Sequence, residues 1–197
     1  MNNEMEFSER YKADLVNALH NIDTLTVQRV IQCLKHARAH HRRIFICGTE
    51  QGAAGAQFLA DTLRQAKPFK GQRLRVLNLN MQVPPMTALA GDESARGRMI
   101  VEELKTFAEP GDVLIGVSGT RAIGSVVNAL EYASWINCRT VAITSSDDVR
   151  ITSTASICIT VSSGQPATSE DAVMSICHLV GHSFVDSCGA PPPDPNS

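Results

Sequence analysis

The chain has 197 residues, of which 43% are hydrophobic and 19% are charged, and its formal net charge is -2. This length and composition fit one globular domain with a sizeable core. The small negative charge argues against a surface for nucleic acid or membrane, and no segment stays apolar over the roughly 18–20 residues that span a bilayer. The basic cluster His40-His41-Arg42-Arg43 is short, and we expect it to be a solvated turn.

The cysteines and the N-terminus indicate a cytoplasmic protein. The six cysteines have no C-x-x-C spacing, so we expect reduced, mostly buried thiols rather than disulfides or a metal site. They are Cys33, Cys47, Cys138, Cys158, Cys177 and Cys188. Cys47 is the one candidate for reactivity, although a core position at a strand end is the better interpretation. The first residues are polar and acidic, which is not typical of a signal peptide. We expect neither a metal nor another cofactor.

Hydrophobic periodicity predicts two helices followed by an alternation of strands and helices. The first helices cover residues 4–22 and 26–40, with Thr26 as N-cap. Predicted strands cover residues 43–47, 74–79, 112–117, 139–144 and 157–161. Predicted helices cover residues 53–66, 94–108, 122–135 and 168–185. The last helix begins with Thr168-Ser169-Glu170-Asp171, which is similar to a capping box.

This alternation predicts an α/β fold, a three-layer α-β-α sandwich around a five-stranded, mainly parallel sheet. The two N-terminal helices precede the sheet and either cover it or pair with another subunit. We expect a single domain over residues 1–188, with residues 1–40 as a helical extension. The Pro-rich tail, residues 189–197, is expected to be disordered.

Two strand–loop–helix junctions, residues 43–52 and 111–120, are the most informative features of the chain. Each is a short apolar run that ends in small residues and then opens into a helical pattern. Such a loop at a helix N-terminus can bind an anion through backbone N–H groups and the helix dipole. In a parallel sheet, both junctions lie at the carboxyl ends of the strands, where ligands bind. Two such loops suggest a phosphorylated metabolite.

Several stretches together are similar to the sugar isomerase (SIS) domain. They are Cys47-Gly48, residues 53–57, Gly91-Asp92, residues 110–118, 126–133 and 140–144, and the final helix. Over residues 10–186 the chain resembles the phosphoheptose isomerase branch, which includes replication-initiator-associating proteins of the DiaA type. The resemblance implies a flavodoxin-like fold, a phosphorylated sugar bound at a subunit interface, a homo-oligomer (tetramer or dimer) and a possible protein partner such as a replication initiator.

The first junction departs from the Gly-Asn-Gly-Gly-Ser loop of these isomerases. It reads Gly48-Thr49-Glu50-Gln51-Gly52, so that Thr49 replaces the asparagine and Gly52 replaces the serine. Glu50 adds a negative charge that disfavours a phosphate unless the carboxylate points away. Either the pocket is remodelled or Glu50 faces solvent in a tight turn. The resemblance still assigns sugar-phosphate contacts to Gly48, Thr49 and Gly52.

The second junction keeps more of the family's phosphate loop. Ser118 and Thr120, on either side of Gly119, keep the first and third hydroxyls of its Ser-Thr-Ser-Gly-Asn-Ser sequence. Ile123 loses the last hydroxyl, and Arg121 would compensate by gripping phosphate oxygens. Ser118 and Thr120 alternatively only cap the next helix. Asp92 matches a family aspartate that either touches sugar hydroxyls or only caps the helix after it.

The metal-dependent isomerases carry a histidine and a glutamate four residues apart on the helix after the first junction. The aligned residues here are Phe58 and Thr62, which cannot replace them as ligands. Neighbouring Asp61 points about 100° around the helix and is expected to be a solvated acid.

The last helix of the family pairs a glutamine with a histidine eight residues later. Glu170 and His178 have that spacing and are the tentative catalytic residues, while a shift of one residue aligns Ser169 and Cys177 instead. His178 and His182 form an H-x-x-x-H pair without an evident third ligand, so exposed or structurally bonded histidines are the better interpretation.

These departures favour a SIS protein that binds a phosphorylated sugar or related anion at a subunit interface and acts as a sensor, an adaptor or a divergent member. The alternative is an active aldose–ketose isomerase whose site is rebuilt around Glu170 and His178. A third possibility is a scaffold that no longer binds a ligand, which Glu50 and Gly52 would explain.

Overall fold

A computed structural model of the chain describes residues 2–48, 51–81, 93–119, 124–145 and 149–186. The strands are β1 (Arg43–Gly48), β2 (Arg75–Asn78), β3 (Val113–Ser118), β4 (Arg139–Thr144) and β5 (Ile157–Thr160). The helices are α1 (Asn2–His20), α2 (Thr24–Ala39), α3 (Gln51–Gln65), α4 (Glu93–Phe107), α5 (Gly124–Trp135), α6 (Val149–Thr154) and α7 (Pro166–Asp186), and a 3-10 turn spans Leu79–Met81. The predicted tail and Cys188 lie outside the described residues.

The predicted parallel sheet is confirmed. Its strand order is β2-β1-β3-β4-β5, and all four neighbouring pairs are parallel. Every residue of the central strand β3 is buried, as expected of a sheet covered on both faces. Alternate side chains of β1 enter two separate cores, Ile44 and Ile46 on one face and Phe45 and Cys47 on the other.

Helices cover both faces of the sheet, which gives the predicted three layers. One core joins the sheet to α2, α3 and α7 through residues such as Leu34, Leu59 and Phe184. The other joins it to α4, α5 and α6. Helix α1 packs on α7, where the Tyr11 hydroxyl donates a hydrogen bond to Asp171. The two N-terminal helices therefore cover the first core instead of standing apart from the sheet.

Two helix starts differ from the sequence prediction. Asp23, not Thr26, caps α2: its carboxylate accepts hydrogen bonds from the Leu25 backbone N–H (2.9 Å) and from the Thr26 hydroxyl (2.6 Å). The short helix α6 was not predicted, because six residues are too few to display a helical period.

The last helix begins two residues before the predicted start, at Pro166, whose fixed φ suits the first helical position. Thr168 and Ser169 are buried and do not form the expected capping box. Their hydroxyls instead share hydrogen bonds of 2.6 and 2.7 Å with the hydroxyl of Ser163. The capping prediction was wrong because these two hydroxyls form hydrogen bonds with the Ser163 hydroxyl of the preceding loop.

The basic turn before β1 is solvated only at its exposed histidines. Arg42 donates a hydrogen bond to the Pro110 carbonyl (3.2 Å), and the Arg43 guanidinium lies 3.9 Å from the Asp112 carboxylate. Asp112 is buried and also accepts the Arg43 backbone N–H at 2.8 Å. The turn thus ties the start of β1 to the start of β3, so the prediction of a merely solvated turn was wrong for the arginines.

The described cysteines are free, as expected, and all but Cys158 are buried. Burial raises the pKa of Cys47 to about 12, so this residue is an inert core thiol and not a nucleophile. None of the helices in the described ranges is both long and apolar enough to cross a membrane.

Candidate functional site

The two junctions lie side by side at the carboxyl edge of the sheet. Gly48 at the end of β1 is in register with Val117 of β3, and Ser118 at the end of β3 is in register with Thr144 of β4. From β1 the chain crosses to β2 on one side, and β3 continues the sheet on the other. This reversal of strand order makes the gap between β1 and β3 a topological switch point, where parallel sheets bind ligands.

Glycine is required at both ends of the first junction. A Cβ on Gly48 would lie 2.4 Å from the Gly52 carbonyl oxygen, and a Cβ on Gly52 would lie 2.4 Å from the Val117 carbonyl oxygen. The first turn of α3 therefore rests directly on the last residues of β3. Gly52, which the resemblance presents as a lost serine, is also a packing residue that brings the two junctions together.

The second junction is described only in part. Ser118 and Gly119 are buried at the end of β3, and the Ser118 carbonyl accepts the Ser145 backbone N–H at 3.4 Å. The predicted contacts Thr49, Asp92, Thr120 and Arg121 lie outside the described residues, as does Glu50.

Ser145, which directly follows β4, carries an unsatisfied group at this same edge. Its hydroxyl is buried, and among the described residues it is the single buried side-chain polar atom without a hydrogen-bond partner. A buried orphan hydroxyl costs free energy unless water or a ligand completes it. It lies beside Ser118 and was not predicted from the sequence.

Sequence analysis also missed an amide network behind the first junction. The side-chain oxygen of Asn80 accepts the Gly48 backbone N–H (2.9 Å), and its side-chain N–H donates to the Gly48 carbonyl. The backbone N–H of Asn80 donates to the side-chain oxygen of Asn78 (2.9 Å). The amide of Asn78 donates to Gln57 (2.6 Å), and Gln57 donates to Asp61 (2.6 Å). The signal was present, since one asparagine ends β2 and a second follows it at the carboxyl edge.

The Asp61 carboxylate was predicted to be solvated, but it forms two contacts with side chains of α3. Besides Gln57, it binds the guanidinium of Arg64 at 3.1 Å, one turn along α3. The carboxylate therefore ends the amide network. The network fixes the end of β1, the 3-10 turn and α3 as one support for the junction.

Helices α3 and α7 cross where the resemblance expects ligating side chains. The Phe58 ring stacks on the His178 ring with centroids 3.8 Å apart, and His182 lies 5.9 Å away. The Thr62 hydroxyl donates to the Phe58 carbonyl at 2.9 Å, which satisfies it locally. Gly181 allows this close approach, because a Cβ there would lie 3.0 Å from Thr62. The two helices therefore contact each other here through stacked rings.

The two possible pairs on α7 face different surroundings. Ser169 is buried among hydroxyls, and Cys177 is fully buried against Gly55, where burial raises its pKa to about 12. Glu170 is half-buried and His178 is exposed, so only this pair has access to a ligand. Within the described residues no group of three or more His, Cys, Asp or Glu side chains has the arrangement of a metal site.

Known proteins are similar to the chain in sequence and in structure. A family model described as the SIS domain matches residues 9–145. The phosphoheptose isomerase of Nitratiruptor sp. is 30% identical over 160 residues, which cover 78% of this chain and 83% of that protein.

Two solved structures illustrate the range of proteins with this fold. The phosphoheptose isomerase of Neisseria gonorrhoeae superposes with a TM-score of 0.78 at 18% identity, covering 93% of this chain and 98% of that one. The sugar isomerase domain of an RpiR transcription factor from Sphaerobacter thermophilus gives 0.68 at 17% identity, covering 95% and 92%. At such identities the superpositions establish the fold alone, and a fold shared by an enzyme and a regulator does not decide between them.

Proposed function

Because the chain belongs to the SIS domain family, we propose that it binds a phosphorylated sugar, or a related anion, at the carboxyl edge of its sheet. The site would lie between the ends of β1 and β3, at the start of α3. It would act as a sensor, an adaptor or a divergent member of the family and would not catalyse the phosphoheptose isomerase reaction.

The arrangement of the two junctions supports the binding part of this proposal. They meet at the switch point of the sheet, where α3 begins, and the first turn of a helix offers backbone N–H groups that bind anions. The close packing of Gly52 on β3 brings that turn to Ser118. The orphan hydroxyl of Ser145 adds a donor for ligand oxygens at the same edge. Thr120 and Arg121 would supply the remaining contacts to the phosphate.

One observation carries the non-catalytic part: the Phe58 ring stacked on His178 at 3.8 Å. Proton transfer between adjacent sugar carbons needs an acid and a base within hydrogen-bond reach of the substrate. The resemblance expects a histidine and a glutamate at positions 58 and 62, on one helix face next to a metal. In this chain position 58 is a phenylalanine, and position 62 is a threonine whose hydroxyl is hydrogen-bonded to the backbone of its own helix.

An active sugar-phosphate isomerase is the second candidate. The relative from Nitratiruptor sp. is named phosphoheptose isomerase and matches most of both chains. In that case Glu170 and His178 would share the acid and base roles, because both side chains are at least partly exposed to solvent.

The same proposal extends to assembly and location. We infer a homo-oligomer, a tetramer or dimer, in the cytoplasm, with the site at a subunit interface. Apolar side chains that remain exposed on α1, namely Met5, Phe7 and Val16, are consistent with an interface there. A replication initiator is one possible protein partner. We also propose that residues 1–188 form one SIS domain, with residues 1–40 as its helical extension and a disordered tail at 189–197.

Calorimetric titration with a panel of sugar phosphates, with inorganic phosphate as reference, tests the proposal. We expect saturable binding by the wild type and a loss of at least about tenfold in affinity for Ser118→Ala/Thr120→Ala, because hydrogen bonds to charged groups contribute about 1.5–3 kcal/mol. Unchanged binding by the double variant would refute the assigned phosphate site. Isomerase turnover that disappears in Glu170→Gln or His178→Ala would establish the second candidate.

A further inference from the structure

A cavity lies at the edge of the sheet opposite the two junctions. It has a volume of about 550 Å³, within the range of small-ligand sites, and it is formed by the last turns of α2 and α7 and by the loop after α3. Because α2 leads into the start of β1 and α3 runs back from its end, these segments meet at the amino edge of the sheet. The residues that line it include Lys35, His36, Arg38, Phe69, Lys70 and Phe184.

Arg38 is the central feature of the cavity. It is only 8% exposed, and its guanidinium carbon lies 5.0 Å from the centre of the Phe69 ring and 5.5 Å from that of Phe184. No side chain among the described residues gives this guanidinium an ion pair or a hydrogen bond. Cation–π contacts offset only part of the cost of removing such a charge from water. Its N–H donors therefore remain available to a ligand that enters the cavity.

The other charged side chains that line the cavity are also positive. Lys35 and Lys70 are exposed at the rim, and none of the described lining residues is acidic. Partial desolvation and the positive charges of His40, Arg139 and Arg42 lower the pKa of His36, which disfavours its protonated form. A concave wall with fixed positive charge and no compensating carboxylate concentrates anions.

We propose that this cavity binds the oxyanion group, phosphate or carboxylate, of a small anionic ligand, independently of the site at the junctions. Arg38 would hold the oxyanion through its planar fork, and Lys35 and Lys70 would add charge from the rim. The half-exposed Phe69 ring would cover the apolar part of the ligand.

Titration with inorganic pyrophosphate and with citrate, at constant ionic strength, tests this site. The titrations use the Ser118→Ala/Thr120→Ala background, in which binding at the junctions is weakened. We expect Arg38→Met, which keeps the packing volume, to weaken binding at least about tenfold, since the variant loses charge-assisted hydrogen bonds. Arg38→Lys would recover only part of the loss. Tighter binding of pyrophosphate would indicate a phosphorylated ligand, tighter binding of citrate would indicate a carboxylate, and equal binding would indicate a site for either oxyanion.

A variant of the rim keeps the test valid if the Arg38 variants do not fold. Lys35→Gln/Lys70→Gln changes two exposed residues and should weaken binding at least about threefold, since it removes two of the cations that concentrate the anion. The matched control Lys12→Gln/Arg73→Gln removes the same charge outside the cavity and should have no effect. Absence of binding by either anion, or equal affinity of the Arg38→Met and unmodified proteins, would overturn the proposal. Neither result would bear on the junction site, which the sugar-phosphate titration tests separately.

Discussion

Replacing Gly52 by alanine tests how the two junctions are held together. The first turn of α3 lies on the end of β3 so closely that a Cβ on Gly52 would be 2.4 Å from the Val117 carbonyl oxygen and 3.1 Å from the Ser118 Cα. Both neighbours are backbone atoms, and no rotation of a side chain relieves the contact. The helix or the strand must shift.

The expected loss of stability is the cost of overpacking less the gain in helix propensity. Inserting a methyl group into a tight site costs about 1–3 kcal/mol, and exchanging glycine for alanine in a helix returns up to about 1 kcal/mol. Backbone neighbours put the cost at the upper end, so we expect a net loss of about 1–2 kcal/mol. For a domain of this size that corresponds to a melting temperature lower by about 2–8 °C.

Thermal denaturation followed by circular dichroism, at one fixed protein concentration, measures this difference. Gly124→Ala is the matched control, because among the described residues no atom beyond its chain neighbours and its own helix backbone lies within 4 Å of a Cβ at that position. The control should melt at or slightly above the wild-type temperature. If Gly52→Ala melted within about 1 °C of the control, the close contact between α3 and β3 would be refuted.

Four further predictions address the surroundings of the site. Asn80→Ala should lower the free energy of unfolding by about 1–3 kcal/mol in urea titrations, because it leaves backbone groups at the end of β1 unpaired; a loss near zero would argue against the amide network. Cys47 and Cys177 should resist a thiol reagent at pH 8 in the folded protein and react on unfolding, because burial raises both pKa values to about 12. The same shifts should make stability fall as pH rises from about 9 towards 12, where only the unfolded thiols ionise. Phe58→Leu and His178→Ala should show a coupling of about 0.5–1.5 kcal/mol in a double-mutant cycle, whereas additivity would contradict the ring stack.

The sheet was predictable because short β-rich runs alternate with helical patterns along the chain and the central run is continuously apolar. The six residues of β3 and the alternation around them define the layers before any contact is known. Local details were less predictable. Asp23 and Thr26 are both acceptable N-caps in isolation, and they bond to each other, so the sequence does not tell which one begins α2.

The candidate site was predictable only where it depends on local pattern. Ser118 could be placed at a strand end from its neighbours alone. The role of Gly52 could not, because its need for glycine arises from backbone that comes much later in the chain. The amide network of Asn78 and Asn80 likewise requires partners on two other elements. Contacts between segments that are distant in sequence leave little trace in local composition.

The central claim, binding of a phosphorylated sugar without isomerisation, is tested most directly by ³¹P NMR of a ketoheptose 7-phosphate incubated with the protein. We predict a saturable shift or broadening of the phosphate resonance, weakened in Ser118→Ala/Thr120→Ala, with no new resonance over time. Conversion to the resonance of the aldose isomer, lost in His178→Ala, would contradict the account in favour of catalysis. A phosphate resonance unaffected by the protein would contradict the binding site itself.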